Sequence, residues 1–146
     1  MNPIPILHWT KRFAIGHADL DAEHRHLVEL INRIGFAIKV EPEQLPDLLE
    51  ALHQLAAAHI LHENAIMLEI SSGTHEHCRM LMAPLMKKIV IRMFVRHAIE
   101  HDAMRDALNA IISGPVDQLC DGLKSWFIKH ARSGDAELRA LFHAAA

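Results

Sequence analysis

Histidine and carboxylate side chains recur one helical turn apart on otherwise apolar helix faces of this chain. His59 is followed four residues later by Glu63, and His97 is followed four residues later by His101. Positions i and i+4 of a helix lie about 40° apart in azimuth, one above the other on the same face. The sequence therefore predicts helices that turn several polar side chains toward one shared interior.

The apolar residues follow a helical period along nearly the whole chain, and strand-like alternation is absent. We predict a first long helix over about 19–39, a second that ends near 70, a third that ends near 112 and a fourth over 116–130. A short tail helix follows over about 136–143. Four long amphipathic helices with short connections indicate an all-α fold, an antiparallel up-down-up-down four-helix bundle. We expect one domain over 1–146, with an N-terminal arm over 1–18, the bundle over 19–144 and an extended connection between the second and third helices.

The composition argues against several classes of function. The formal net charge is −3, whereas a nucleic-acid-binding protein needs a strong basic excess. No apolar run reaches membrane-spanning length without a charge, and we expect no signal peptide. The two cysteines form no CxxC motif, which favours a reducing, cytoplasmic location. Thirteen histidines in 146 residues are the one compositional outlier.

Seven histidine and carboxylate side chains are candidates for a buried metal centre. Burying carboxylates or imidazoles in an apolar core costs several kcal/mol each unless something compensates. Metal coordination is the obvious compensation, because both groups are ligands of borderline and hard transition metals. Five imidazoles and two carboxylates are too many for one ion and suit two. The candidate ligands are His24, His59, Glu63, His97, His101, His130 and Asp135.

Asp135 is the candidate that needs a special backbone. A five-residue step from His130 rotates about 140° on a straight helix, so the two side chains would not face one centre. A break at Ser133-Gly134, or a π-type bulge there, would swing Asp135 inward. The alternative is that Asp135 only caps the tail helix that begins at Ala136.

The ordered set of motifs resembles the hemerythrin family, the non-haem di-iron oxygen-binding four-helix bundles. The resemblance runs from Trp9 to about Phe142, nearly the whole chain. A single HxxxE or HxxxH motif is a weak signal, whereas all seven ligand positions in order are a strong one. The matching segments are Phe13-x-Ile15-Gly16, Asp21-x-x-His24, His59-x-x-x-Glu63 followed by Met67, His97-x-x-x-His101-Asp102, and Trp126-x-x-x-His130-x-x-x-x-Asp135.

The resemblance implies two iron ions bridged by a solvent-derived oxo or hydroxo group. It implies that Glu63 and Asp135 also bridge the two ions. One iron would take three histidines and the other two, which leaves an open coordination position for dioxygen. The histidines implied are His97, His101 and His130 for the first iron, and His24 and His59 for the second.

The implied function is reversible dioxygen binding for storage, delivery or sensing, without enzymatic turnover. Candidates for the apolar wall of a dioxygen pocket are Met104, Leu108 and Phe127. The alternative is a di-iron enzyme (an oxidase, a peroxidase or a nitric-oxide-handling protein) or an iron-homeostasis protein that uses the same site. The histidine-rich ligand set favours binding, because ferritin-like di-iron oxidases are rich in carboxylates.

The chain departs from the family pattern between Glu63 and His97, where the interval is longer than the family usually shows. The extra length falls on residues 78–96, which contain five basic residues, four methionines and Pro84. A proline inside a helix predicts a kink or a split. We expect an extended hairpin that forms a homodimer contact through its exposed apolar residues, which are Leu81, Leu85, Ile89 and Met93.

Overall fold

The computed structural model describes residues 4–72 and 84–145, and within these ranges the chain is predominantly helical. Helix α1 contacts α2 and α4, and α3 also contacts α2 and α4, so the four long helices pack around one interior. The predicted all-α fold of four packed helices is confirmed. The elements are α1 (Ala18–Val40), α2 (Leu45–Ser72), α3 (Pro84–Ile112), α4 (Leu119–Lys129), a π turn (His130–Gly134) and the tail helix α5 (Ala136–Ala145).

Proline and glycine set the boundaries between the helices. Helix α1 ends at Val40, and Pro42 opens a short 3-10 turn that leads into α2. Helix α3 ends at Ile112, before a Ser-Gly-Pro sequence and a second 3-10 turn, Val116–Gln118. Proline fits the first position of a helical turn, where its missing N–H would have had no partner. The predicted ends near 39 and 112 are therefore confirmed to within one residue.

The chain enters α1 through a turn held by Asp21. Gly16 has a φ of 100°, a left-handed conformation that glycine adopts without steric cost. The Asp21 carboxylate accepts hydrogen bonds from the amides of Ile15 (2.6 Å) and Gly16 (3.2 Å). This turn directs Ile15 into the interior, where it is fully buried. Asp21, which is part of the sequence motif, thus binds backbone amides.

Two apolar clusters fill the interior, one on each side of a polar layer. The first cluster contains Leu27 of α1, Leu108 of α3 and Phe127 of α4. The second contains Leu20 of α1 and Leu138 of α5. Along α1, α2 and α3 the buried polar side chains stand between members of the two clusters. The fold therefore places a band of imidazoles and carboxylates between two separate apolar cores.

The predicted hairpin between the second and third helices lies largely outside the described residues. Helix α3 is described from Pro84 onward, so a bend at this proline is not tested, and Leu81 and Leu85 are outside the described side chains. Ile89 is 46% exposed, whereas Met93 is partly buried against the second cluster. The homodimer contact stays a prediction. No helix in the described ranges combines the length and the apolar character needed to cross a membrane.

Candidate metal centre

All seven predicted ligand side chains converge in the polar layer, and none is more than 5% exposed. Helix α1 supplies one imidazole, α2 an imidazole and a carboxylate, α3 two imidazoles, and the π turn with the residue after it one of each. Their donor atoms form two groups in which every atom lies within 4.8 Å of the others. The groups are His24, His59, Glu63, His130 and Asp135, and Glu63, His97, His101 and Asp135.

In the first group, three imidazole Nε2 atoms contact one another. The His24 atom lies 3.1 Å from that of His59 and 3.3 Å from that of His130, and the last two are 3.1 Å apart. Nitrogen ligands bound at about 2.0–2.1 Å stand roughly 2.9–3.4 Å apart at neighbouring positions of an octahedron or tetrahedron. The three nitrogens are therefore spaced as neighbouring ligands of one ion would be.

The second group is built on α3. The Nε2 atoms of His97 and His101 are 2.9 Å apart. Oε2 of Glu63 lies 2.7 Å from Nε2 of His101 and 3.4 Å from that of His97. Oδ1 of Asp135 lies 3.4 Å from the same His97 atom. Two nitrogens and two oxygens thus converge here.

Each buried carboxylate divides its two oxygens between the groups. Oε1 of Glu63 lies 2.9 Å from Nε2 of His59, while its Oε2 faces His101. Oδ2 of Asp135 lies 3.1 Å from Nε2 of His24, while its Oδ1 faces His97. Oε1 of Glu63 and both oxygens of Asp135 are buried without a hydrogen-bond partner. Such orphaned anionic oxygens are costly unless cations compensate them, so the donor set fits bound metal.

Acceptors outside the centre fix the orientation of three imidazoles. Nδ1 of His24 lies 2.7 Å from the carbonyl oxygen of Phe13, and Nδ1 of His101 lies 2.8 Å from Oδ1 of Asn64. Nδ1 of His59 lies 2.7 Å from the carboxylate of Glu23. An N–H donated from Nδ1 leaves the Nε2 lone pair free for a metal. In the neutral form of this tautomer, His24 and His59 have no proton between their Nε2 atoms, so their contact is favourable only when a proton or a cation lies there.

The outer acceptors Glu23 and Asn64 were not among the residues predicted from the sequence. Each stands next to a predicted ligand in the chain, Glu23 before His24 and Asn64 after Glu63, which is the one signal the sequence carried. His62 also contacts Glu23, with its Nδ1 2.6 Å from the second carboxylate oxygen. One carboxylate therefore connects a buried imidazole to an imidazole that is 35% exposed.

The predicted π-type backbone brings Asp135 to the centre. Residues His130–Gly134 form a π turn, and the amide of Asp135 donates to the carbonyl oxygen of His130 at 3.0 Å. This i to i+5 bond adds one residue to the turn and so brings both side chains to the same face. Asp135 also precedes α5, and its carbonyl oxygen accepts from the amide of Arg139 at 2.9 Å. Its side chain, however, faces the centre.

Arg139 connects the π turn to the residues before α1. Its Nε donates to the carbonyl oxygen of Ala14 at 2.7 Å, and its Nη2 donates to that of Arg12 at 3.0 Å. The same nitrogen donates to the carbonyl oxygen of Ala131 inside the π turn. The guanidinium thereby satisfies a backbone carbonyl of the turn that carries Asp135. Nothing in the sequence pattern indicated this function.

The charges of the centre favour positive charge in its interior. Burial opposes protonation of His59, but the carboxylates of Glu63 and Glu23 raise its pKa to about 9. Against the same effect of burial, Asp135 and Glu63 raise the pKa of His97 to about 9 and that of His130 to about 10. Burial dominates at His101 and lowers its pKa.

The two carboxyl groups have the opposite shift. Burial alone would raise the pKa of Glu63, but the surrounding imidazoles hold it well below its usual range. Burial is likewise outweighed at Asp135, mainly by His130, and the pKa is lowered. Without metal, protons on the imidazoles therefore supply the positive charge that compensates the two carboxylates.

The grouping of His130 differs from the one that the resemblance implies. The family pattern puts His130 with His97 and His101, whereas its Nε2 atom here contacts those of His24 and His59. The ring centroids of His130 and His101 are 6.0 Å apart. Asp135 and Glu63 belong to both groups, and His130 stands beside both of these carboxylates. Its assignment to one ion stays a prediction.

A cleft of about 530 Å³ between α3 and α4 leads to the centre. Met104, one of the three predicted pocket residues, lines it together with His101 and His130. The other two, Leu108 and Phe127, are buried members of the first apolar cluster. The ring centroid of Phe127 lies 5.6 Å from that of His24, so this side chain covers the centre from within the core.

Comparison with known proteins gives no relative. No family model matches this chain, and neither a curated protein nor a solved structure is significantly similar to it. Membership of the hemerythrin family therefore stays a prediction. The geometry of the seven side chains is the observation on which a function can be based.

Proposed function

We propose that this protein binds dioxygen reversibly at a non-haem centre of two iron ions inside its helical bundle. The ions would be held by the five imidazoles and two carboxylates of the polar layer, the predicted ligands of the sequence. Reduced iron supplies the electrons that make reversible dioxygen binding possible. The protein supplies the ligand set, the outer acceptors that orient it and the apolar cores that keep water away.

The division of each buried carboxylate between two donor groups is the observation that carries this proposal. The two oxygens of Glu63 face imidazole nitrogens of different donor groups, and so do the two oxygens of Asp135. No neighbouring donor satisfies three of these four oxygens. One cation in each donor group would compensate these oxygens, which supports two ions over one.

The donor chemistry supports iron and dioxygen. Imidazole ligands suit iron, copper, nickel and zinc, while carboxylates that bridge two ions favour di-iron over the four-coordinate sites that zinc prefers. Five neutral imidazoles stabilise the reduced metal and leave only two hard anionic ligands. Oxidases of the ferritin-like type have more carboxylates, with a Glu-x-x-His motif on each of two helices. This balance favours binding over oxidation chemistry.

A di-iron enzyme is the second candidate, and the cleft between α3 and α4 favours it. The cleft reaches His97, His101 and His130 and is larger than dioxygen needs. An oxidase, a peroxidase or a nitric-oxide-handling protein would need such access for a substrate, and an iron-homeostasis protein would need it for the ion. Turnover of a reduced co-substrate in air distinguishes an enzyme from a carrier.

Anaerobic iron loading followed by spectroscopy tests the proposed function. We expect about two iron ions per chain by metal analysis, and an absorption band that appears in air and disappears when dioxygen is removed. Glu63→Ala and His101→Ala should lose iron and the band, whereas the exposed His26→Ala should keep both. A stoichiometry of one, or zinc bound tightly with no iron, would contradict the proposal.

Three further predictions belong with this proposal. The first is the antiparallel up-down-up-down order of the helices. It is supported by α1, which runs from Leu20 in the second cluster to Leu27 in the first, and by α2, which runs in the opposite direction, from Ala56 in the first cluster to Ile66 in the second. A cytoplasmic location is the second prediction. The third is a homodimer through residues 78–96, for which the half-exposed Ile89 gives a test, since Ile89→Glu should yield monomers.

A further inference from the structure

The cleft between α3 and α4 has a volume that a diatomic gas does not require. About 530 Å³ is more than tenfold the roughly 30 Å³ that one water occupies in the liquid. It falls within the range of about 300–1,000 Å³ that is typical of sites for small organic ligands. The cleft therefore has room for an organic molecule beside the centre.

The walls of the cleft are apolar and partly fixed. Trp126 donates its indole N–H to the carbonyl oxygen of Met104 at 3.0 Å, which fixes the ring and leaves it no free polar atom. Ala103 and Ala107 leave space on the α3 side of the cleft, because each side chain is a single methyl group. At the far end Gly122 faces Ile111, whose Cγ2 would lie 3.0 Å from a Cβ added at the glycine.

The polar groups that line the cleft form an exposed set and a buried set. The mouth carries the exposed side chains of Glu100, Ser125 and Lys129. The floor carries the buried imidazoles of His97, His101 and His130. A ligand that fits must therefore have an apolar body, and its approach brings it against the imidazoles of the centre.

We propose that this cleft binds a small aromatic molecule next to the metal centre. Aromatic rings make favourable edge contacts with the thioether of a methionine and with an indole, and both Met104 and Trp126 line the cleft. This inference deepens the proposed function and rests on it for the metal ions beside the imidazoles at the floor of the cleft. Binding to the wall itself needs only the cleft.

Toluene is a suitable probe, and methionine methyl groups are suitable reporters. The chain is labelled with [¹³C-methyl]methionine and titrated with toluene, both as isolated and after loading with zinc(II), which is diamagnetic. Met67, buried in the second cluster, is the internal control for Met104. Ala107→Phe and Ala103→Phe fill the cleft from exposed positions, and Ala110→Phe adds the same ring one turn along α3, outside the cleft.

We expect a saturable shift of the Met104 signal and an unchanged Met67 signal. Each cleft-filling variant should weaken toluene binding at least about tenfold, and Ala110→Phe should leave it unchanged. The proposal is overturned if Met104 shows no saturable shift, or if both cleft-filling variants bind toluene as the original chain does. If the chain binds toluene but takes up no metal, only the proposed metal function is refuted. If it takes up metal but does not bind toluene, only the proposed aromatic site in the cleft is refuted.

Discussion

Metal loading should expel about three protons from the centre. In the metal-free protein the pKa values of His59, His97 and His130 are about 9, 9 and 10, so near neutral pH all three imidazoles carry a proton. The carboxyl groups of Glu63 and Asp135 have lowered pKa values and have already lost theirs. Coordination requires deprotonated ligands, so the incoming ions displace the three protons.

This exchange fixes the pH dependence of metal affinity. One proton corresponds to about 1.4 kcal/mol per pH unit, so three protons change the overall free energy of binding two ions by about 4 kcal/mol per pH unit. Protons compete with the ions, so affinity rises with pH up to about 9 to 10 and levels off above that range.

Calorimetric titration with a divalent metal, in buffers of different ionisation enthalpy, measures the number of protons released. The exposed His26→Ala is the matched control and should release the same number, whereas His97→Gln should release about one fewer. A release near zero at pH 7 would refute the reasoning, because the imidazoles would then be neutral before the metal binds.

Three further outcomes follow from the same contacts. The raised imidazole pKa values stabilise the metal-free fold fully below the unfolded-state pKa of about 6.5, and this stabilisation is lost as pH rises through 9 to 10. The melting temperature of the metal-free protein should therefore fall over this pH range, whereas that of the metal-loaded protein should not. The same pH dependence for both forms would contradict the pKa shifts. Glu23→Ala removes the acceptor of His59 and should weaken metal binding about 10–100-fold, with the exposed Glu29→Ala as control; equal affinities would show that this bond does not orient the imidazole. Leu123→Ala should lower the free energy of unfolding by about 2–5 kcal/mol in chemical denaturation, whereas Leu61→Ala, at a site 69% exposed, should change it little.

Periodicity predicted the features that depend on a single helix. His59 and Glu63 share a face because of the helical repeat alone, and the apolar residues around them fix which face is buried. For Asp135 the helical repeat left a break, a π-type bulge and a simple helix cap open, and the structure has the π turn with the side chain buried.

Features that depend on how two elements pack could not be predicted. The contact of Glu23 with both His59 and His62 needs the rotation of α1 against α2. The bonds of Arg139 to the chain before α1 join residues more than a hundred positions apart. Neither relation leaves a local pattern in one sequence, so the outer contacts of the centre appear only in the packed structure.

The position of the centre between two apolar clusters determines what metal removal should do. Each cluster has its own buried leucines, isoleucines and aromatic rings, so neither depends on an ion for its packing. The metal-free chain should therefore keep its helical circular dichroism. It should melt at a lower temperature, because free metal at about a hundredfold its dissociation constant stabilises the folded state by about 2.7 kcal/mol. Scanning calorimetry with and without a chelator measures the difference. Loss of helicity on chelation would show that the clusters are not independent of the centre, and identical melting temperatures would show that no metal binds inside the fold.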